Sequence, residues 1–327
     1  MSFRFNPPVA IVGMLALIAF CAVQVPAHAQ SYPVKPVRII VPFSGGSSDL
    51  AARIIAPRLQ EALKQPFIVE NRPGANGAIG SELVARAAPD GYTLLSVLTS
   101  HVITSSLIPT SYDPIKDFTP VAAMAVAELA MTVNNDVPVK SLAEFITFAR
   151  TQANPVLYST TQLGGNQHLA GELFTLLTGA RLTPVPYKGG GEAVMALMGG
   201  HVQMYFGSMA TMTPFIRSGK VRGIAVTGAK RHADGPEIPT FAEGGLPTLD
   251  IRLWYGLLAP AGTPRDIVNR LAEVVLAAIP QPEFRAQLAK MGSDPMPMNP
   301  DQFGALLRTE SARFLDIIKR ANVKIDP

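Results

Sequence analysis

Ser44, Gly45, Gly46, Ser47, Ser48 and Asp49 lie between the β-branched run "VRIIVPF" and the helical pattern "LAARIIAPRLQEAL". Glycines let a backbone approach a bound group closely, and hydroxyls both donate and accept hydrogen bonds. The helix that follows adds unpaired N–H groups and a partial positive charge. Such a turn can cradle a phosphate, present a serine nucleophile, or hold a small anion unchanged. Its spelling alone leaves all three open.

The same chemistry recurs along the chain. Thr160, Thr161 and Gln162 precede Gly164-Gly165 and Asn166-Gln167-His168; Lys188 precedes Gly189-Gly190-Gly191; Gly207-Ser208 follow "VQMYF". In an open α/β sheet, ligands sit beyond the carboxyl ends of strands, where helices begin. Neutral donors at several such turns suit an anion with many oxygen acceptors, and suit its release as well as its capture. Each glycine turn also has a purely geometric reading. Asp49 reads as a cap or a loop tie, since a carboxylate facing an anionic ligand would repel it. Lys188 reads as either solvated or facing an anion. His101 and His168, after a strand and in the first turn of a helix, read as structural or as ligand contacts.

Catalytic motifs are missing. There is no G-x-G-x-x-G, no P-loop and no G-x-S-x-G elbow, and "GANGAIG" spaces its glycines three and three. His101, His168, His201 and His232 lack the i, i+4 spacing of a zinc pair, and the chain's single cysteine, Cys21, lies in the leader described below. No enzyme, no metal and no cofactor is expected. One helix end contributes about 0.3–1 kcal/mol to holding an anion, whereas micromolar affinity needs about 8 kcal/mol. Charge-assisted hydrogen bonds at about 1.5–3 kcal/mol each, and the exclusion of water between two closing walls, must supply the rest.

The elements that position these turns are repeated strand–turn–helix units. After "VRIIVPF" and its helix come "PFIVE", the turn "NRPGANG", the helix "AIGSELVARAA" and the strand "YTLLSVLTS". "VAAMAVAELAMTVNN" reads as paired extended segments, and "SLAEFITFARTQ" as a helix capped by Ser141, with Glu144 completing a capping box. The pattern restarts with "VLYSTT", "HLAGELFTLLTG", "TPVPY", "EAVMALMGG", "VQMYF", "TMTPFIRSG" and "RGIAVTG"; "LWYGLLAPAGTP" returns as a strand, and helices close the chain. Alternating strands and helices predict an α/β fold with mainly parallel sheets flanked by helices. Two domains are expected, the second (130–250) inserted into the first (30–129 and 251–327).

Residues 1–29 read as a secretory signal: Arg4, the apolar run Val9 to Val23, and Ala27-His28-Ala29 ahead of cleavage before Gln30. That run is short for a bilayer span of about 20 residues. With a net charge of +4 over 327 residues and no lysine–arginine cluster, nucleic acid is not an expected partner. A soluble, exported, monomeric protein is expected.

Nearly end to end, the chain after the signal resembles the periplasmic solute-binding receptors of tripartite tricarboxylate transporters, the Bug receptors. The resemblance rests on "YPVKPVRIIVPF" with its Gly-Gly…Asp turn, "VENRPGANGAIGSELVARAAPDGYTLL", "HLAGELF", "VPYKGGGEAVMALMGGHVQMYF", "GIAVTGAKR", "IPTFAEGGLP" and "WYGLLAPAGTP", in this order. It implies a two-domain clamp of the type II periplasmic-binding-protein kind. The clamp closes on a small carboxylate, held largely by amides, hydroxyls and water, and presents it to large and small membrane subunits. Carried over by position, Phe43, Ser44, Gly46, Ser47, Ser48 and Asp49 with Ser100 and His101 form one wall. Thr160, Thr161, Gln162, Asn166, Gln167, His168, Tyr187, Lys188, Gly189, Gly207 and Ser208 form the other. The first turn is one residue shorter than the common family spelling. Gly207 stands where many members have an aspartate, and Gln167 where a serine or threonine is usual. The resemblance leaves a dicarboxylate, an aromatic acid or an acidic amino acid open as ligand, and the missing acidic group argues against an amine-bearing one. A sensor delivering its ligand-bound shape to a signalling partner is the alternative that the same folded chain would serve.

Overall fold

The computed structural model describes Met1, Ser2, residues 32–43 and residues 45–324. The chain divides into two compact units, Met1–Val34 and Lys35–Pro327, and every element named below lies in the second. The expected signal segment, its cleavage site before Gln30, and Ser44 lie outside the described residues.

Short, mostly apolar runs, buried in the central strands, make two sheets. In the first, β1 (Val37–Val41) lies between β2 (Phe67–Asn71) and β3 (Thr93–Leu98), parallel to both. Beyond β3 come β10 (Leu253–Pro260), β4 (Phe118–Ala127) and β11 (Asp294–Met298), each antiparallel to its neighbour. The second sheet runs β7 (Leu182–Pro186), β6 (Val156–Thr160), β8 (Met204–Ser208), β5 (Leu129–Asn134), β9 (Val221–Val226). Here β6 is parallel to β7 and β8, while β5 is antiparallel to β8 and β9.

Both sheets are therefore mixed rather than mainly parallel, because β10 and β5 enter from the opposite end. The segment "VAAMAVAELAMTVNN" is extended as expected, but its two strands do not pair with each other. β4 joins the first sheet and β5 the second, separated by Glu128 alone. Strand β11, "DPMPM", carries two prolines and was not legible as a strand. It sits at the sheet edge, where a missing N–H is tolerated.

Helices cover the sheets. Those that follow strand ends at the glycine–hydroxyl turns are α1 (Ser47–Leu63), α3 (Ser100–Leu107), α5 (Asn166–Thr178), α6 (Gly190–Met198) and α7 (Met209–Arg217). Between them in sequence are α2 (Ala78–Ala85) and α4 (Leu142–Thr151); α8 (Arg265–Ala278), α9 (Pro282–Lys290) and α10 (Pro300–Arg320) close the chain. In α10 the buried Phe303, Leu307, Glu310, Phe314 and Ile317 recur at alternating steps of four and three, the stripe of an amphipathic helix. Phe303 meets the Trp254 ring edge-on at 5.6 Å. Phe174 of α5 packs against Phe145 at 5.8 Å and Phe241 at 6.5 Å, which ties α5 to the core of the second sheet.

Ser141 caps α4 by accepting from the Glu144 N–H. The reciprocal half of the expected capping box goes one residue astray: Glu144 accepts from the N–H of Lys140, not of Ser141. A complete box is present instead at Asn299 and Gln302, which start α10. Among the described residues no helix is long and apolar enough to cross a membrane.

Candidate functional site

The first turn is held from behind. Gly45 and Gly46 have φ of 72° and 80°, a left-handed backbone that favours glycine. Asp49 accepts from Asn71 Nδ2 at 2.8 Å and from Arg53 Nε at 3.0 Å, and the Phe43 carbonyl accepts from the same Asn71 amide at 2.8 Å. Arg53 holds the Asp49 carboxyl below its ordinary range. Asp49 thus ties the loop and does not cap α1, which has no side-chain cap. The carboxylate is neutralised by Arg53, leaving the turn little net charge. Asn71 opens "NRPGANG", and its clamp role has no sequence signal beyond that position.

Phe43, Ser100 and His101 line one small cavity with Gly77, Ser81 and Thr104, whereas Gly46, Ser47, Ser48 and Asp49 do not line it. The imidazole of His101, however, turns inward. It stacks on Tyr112 and meets Phe118 edge-on, Nε2 faces the Pro114 carbonyl at 3.0 Å, and Nδ1 faces Ser81 Oγ at 3.5 Å. Burial pushes its pKa down to about 4. Both nitrogens of this neutral ring are engaged, and the expectation of a ligand-contacting His101 side chain gives way to a structural one.

His168 corrects the same way. Its Nδ1 accepts from the Gly164 N–H at 3.0 Å and its Nε2 faces Glu172 at 3.5 Å, while burial lowers its pKa to about 4. It fixes the loop that precedes α5. Thr160 Oγ1 donates to the Gln162 carbonyl, and the Thr160 carbonyl accepts from the Tyr187 N–H. Thr161 Oγ1 and its N–H both go to Gln167 Oε1, at 2.8 and 2.9 Å. Ser208 Oγ pairs with Thr211 Oγ1 at 2.6 Å. Lys188 is exposed, with its N–H on Glu192, and Gly189 precedes α6.

What is left over is informative. Among the described residues, buried side-chain atoms without a hydrogen-bond partner include Ser48 Oγ, Ser100 Oγ and Gln162 Nε2. All three stand at helix starts or turns beyond strand ends. The helices that begin at these turns, α1, α3, α5, α6 and α7, have no side-chain cap; α2, α8 and α9 lack one too, while Ser141 and Asn299 cap α4 and α10. A buried donor left unmade costs about 1–3 kcal/mol, and native proteins contain few of them.

The turns of the two sheets converge. The Arg252 carbonyl accepts from Thr99 Oγ1 at 3.0 Å and from Asn166 Nδ2 at 3.2 Å, joining the start of α3 to the start of α5. A Cβ placed on Gly292, just before β11, would lie 2.8 Å from Ala210 and 3.6 Å from Ser208 Oγ. The Tyr255 phenol, raised by burial, has the hydroxyls of Ser47 and Ser293 beside it. Sequence reasoning missed Arg252, Tyr255 and Ser293, because main-chain acceptors and closing segments carry no motif.

Charged groups gather where the chain crosses between sheets. His232 Nε2 is 3.3 Å from Asp294, Arg252 is 3.0 Å from Asp250, and the Gly228 N–H donates to Asp250. Asp294 raises the pKa of His232, and His232 lowers that of Asp294. Glu128, at the single-residue crossing, is pushed up to about 7 by burial, with His232 and Arg252 pulling it down and Asp294 and Asp250 pushing it up. A carboxyl raised in this way holds its proton more tightly when folded. The stability it contributes is therefore present below its unfolded pKa, near 4.5, and lost as pH rises through about 7. Glu128→Gln is expected to melt like the parent near pH 4 and to be more stable near pH 8, by about 1 kcal/mol after solvent screening. Equal melting temperatures at both pH values would contradict that.

Comparison with known proteins agrees with this architecture. A family model described as the tripartite tricarboxylate transporter family receptor matches residues 51–323. BugT of Bordetella pertussis is 34% identical over 320 residues, covering 97% of this chain and 98% of its own. A Rhodopseudomonas palustris protein solved with adipate superposes with a TM-score of 0.79 at 34% identity, over 90% of this chain and 99% of its own. MatC from Rhodopseudomonas palustris with bound malate gives 0.76 at 33% identity, over 88% and 100%.

Proposed function

We propose that this chain, which belongs to the tripartite tricarboxylate transporter receptor family, captures a small carboxylate in the periplasm between its two sheet-bearing lobes and hands it to the large and small membrane subunits of a transporter. By family it is a substrate-binding protein and not an enzyme. The lobes are 30–129 with 251–327, and 130–250. The protein is exported by a signal cleaved before Gln30 and acts as a monomer.

The observation that carries this reading is the set of buried, unpartnered donors, Ser48 Oγ, Ser100 Oγ and Gln162 Nε2, contributed by turns of both lobes. Each carboxylate group of an organic acid offers about four lone-pair sites, which these donors and the uncapped helix N–H groups can fill between them. Each charge-assisted bond contributes about 1.5–3 kcal/mol, so three of them supply most of a micromolar affinity. Related structures with adipate and malate support the choice of an organic acid. Asp49, already satisfied by Arg53 and Asn71, shapes the first wall, and the backbone of Gly46, Gly189 and Gly207 approaches the ligand. Thr161 acts through Gln167, whose carbonyl it occupies.

Thermal shift with a panel of organic acids tests the reading. A ligand at a hundredfold excess over its Kd stabilises by about 2.7 kcal/mol. Ser48→Ala is expected to weaken binding by about 1–2 kcal/mol while leaving the unliganded melting temperature near the parent value. A panel of acids that leaves the melting temperature unmoved, beside a neutral sugar that raises it, would overturn the assignment.

A further inference from the structure

Strand β8 carries a polar group that the ligand walls read from sequence do not include. Tyr205 is 2% exposed, and its phenol oxygen lies 3.0 Å from Gln167 Nε2. The direction of that bond is fixed by a chain of donors. The Thr161 backbone N–H can only donate, so the Gln167 atom facing it is the carbonyl oxygen, and the Thr161 hydroxyl donates there too. Gln167 must then present its NH2 group to Tyr205, and the phenol oxygen is the acceptor. Its own proton remains to be donated, and among the described residues it meets no protein acceptor.

That proton sits between two helix starts. Gln167 belongs to the first turn of α5. A Cβ placed on Gly190, the first residue of α6, would lie 3.6 Å from the phenol oxygen. Burial raises the phenol's pKa to about 12, so it stays protonated at any physiological pH. Gly207, two residues along the strand, has no room for a side chain, because a Cβ there would lie 2.7 Å from the Tyr205 ring and 2.7 Å from Met212 Sδ. The ring thus fills the space where a side chain at 207 would stand. The side-chain groups left over on this wall, the Tyr205 hydroxyl proton and Gln162 Nε2, are donors, and the Glu192 carboxylate in the first turn of α6 is taken by the Lys188 N–H.

We propose that Tyr205 is a specificity-determining residue of the second wall, whose hydroxyl donates to the far carboxylate of a dicarboxylic acid lacking an amino group. The inference rests on the carboxylate reading above and adds to it the residue that recognises the second acid group. The near carboxylate goes to Ser48, Ser100 and the start of α1; the far one goes to Tyr205, Gln162 and the starts of α5 and α6.

Isothermal titration of the wild type and Tyr205→Phe tests it, using succinate, glutarate and adipate beside the length-matched monoacids butyrate, valerate and hexanoate. The phenylalanine ring stays in the buried cluster that Tyr205 shares with Met212 and Val194, and the variant's melting curve checks that it folds. The expected result is a wild type that prefers a diacid, and a variant whose diacid-over-monoacid preference falls about tenfold, the loss of one charge-assisted hydrogen bond. An unchanged preference, whether both affinities hold or both fall together, would assign the phenol a purely structural role through Gln167 and overturn the inference. A wild type that binds the monoacids as tightly as the diacids overturns it also, leaving the carboxylate reading intact. Binding of none of these acids overturns the inference, and takes the carboxylate reading with it only if the wider acid panel is equally inert.

Discussion

Phe174→Ala is expected to lower the folding stability by about 3–5 kcal/mol, the cost of deleting a buried aromatic ring and leaving a cavity. The ring is fully buried on α5 and lies edge-on to Phe145 at 5.8 Å and Phe241 at 6.5 Å, with Phe241 in turn 6.2 Å from Phe206 of β8. It therefore joins the helix that presents Asn166, Gln167 and His168 to the strand that presents Gly207 and Ser208. For a chain of this size the loss corresponds to roughly 10 °C in melting temperature. Phe148, only half-buried beside Phe145, is the control, and Phe148→Ala is expected to cost a fraction of that. Melting curves for the two variants should separate clearly; comparable small shifts would mean that the aromatic stack does not anchor α5.

The difference between what the sequence disclosed and what it hid follows from the range of the interactions. The turns at Gly45-Gly46, Gly164-Gly165 and Gly189-Gly190 were legible because glycine and hydroxyl residues act locally, within a few residues of the helix they start. Ser141 was legible for the same reason. The separation of β4 from β5 was not: an apolar run that stays extended reads as one hairpin, and only long-range pairing with β10 on one side and β8 on the other divides it at Glu128.

The histidines show the limit at the site itself. A histidine after a strand or in a helix's first turn has the same spelling whether its ring faces a ligand or the core. Tyr112, Phe118 and the Pro114 carbonyl decide for His101, and the Gly164 N–H and Glu172 decide for His168. Tyr205 errs in the opposite direction. Inside "VQMYF" it reads as one more apolar strand residue, and only the fixed orientation of the Gln167 amide shows that its hydroxyl proton is spare. Arg252 contributes a main-chain carbonyl, which any residue could supply, so no residue type marks it.

Gly207→Asp is expected to weaken binding of a diacid that lacks an amino group more than Gly207→Asn does. Position 207 is buried in β8 and pairs with Ala130, and its φ is not positive, so crowding and not backbone torsion excludes a side chain there. The first atom of any side chain would press on Met212 and on the Tyr205 ring. Met212 is flexible enough to shift, and overpacking at such a site costs about 1–3 kcal/mol of stability, a cost common to both substitutions. What differs is charge. An aspartate would accept the Tyr205 proton and so consume the donor, and it would face the ligand's carboxylate at short range. At about 4 Å and an effective dielectric constant of about 20, two like charges repel by about 4 kcal/mol. Asparagine has nearly the same bulk without that term, and its NH2 group can itself donate. The ratio of the two affinities therefore isolates the electrostatic part of recognition from the steric part. If titration shows Asp and Asn at 207 weakening the same acid equally, negative charge on the ligand is not what the second wall detects, and its neutrality has some other cause.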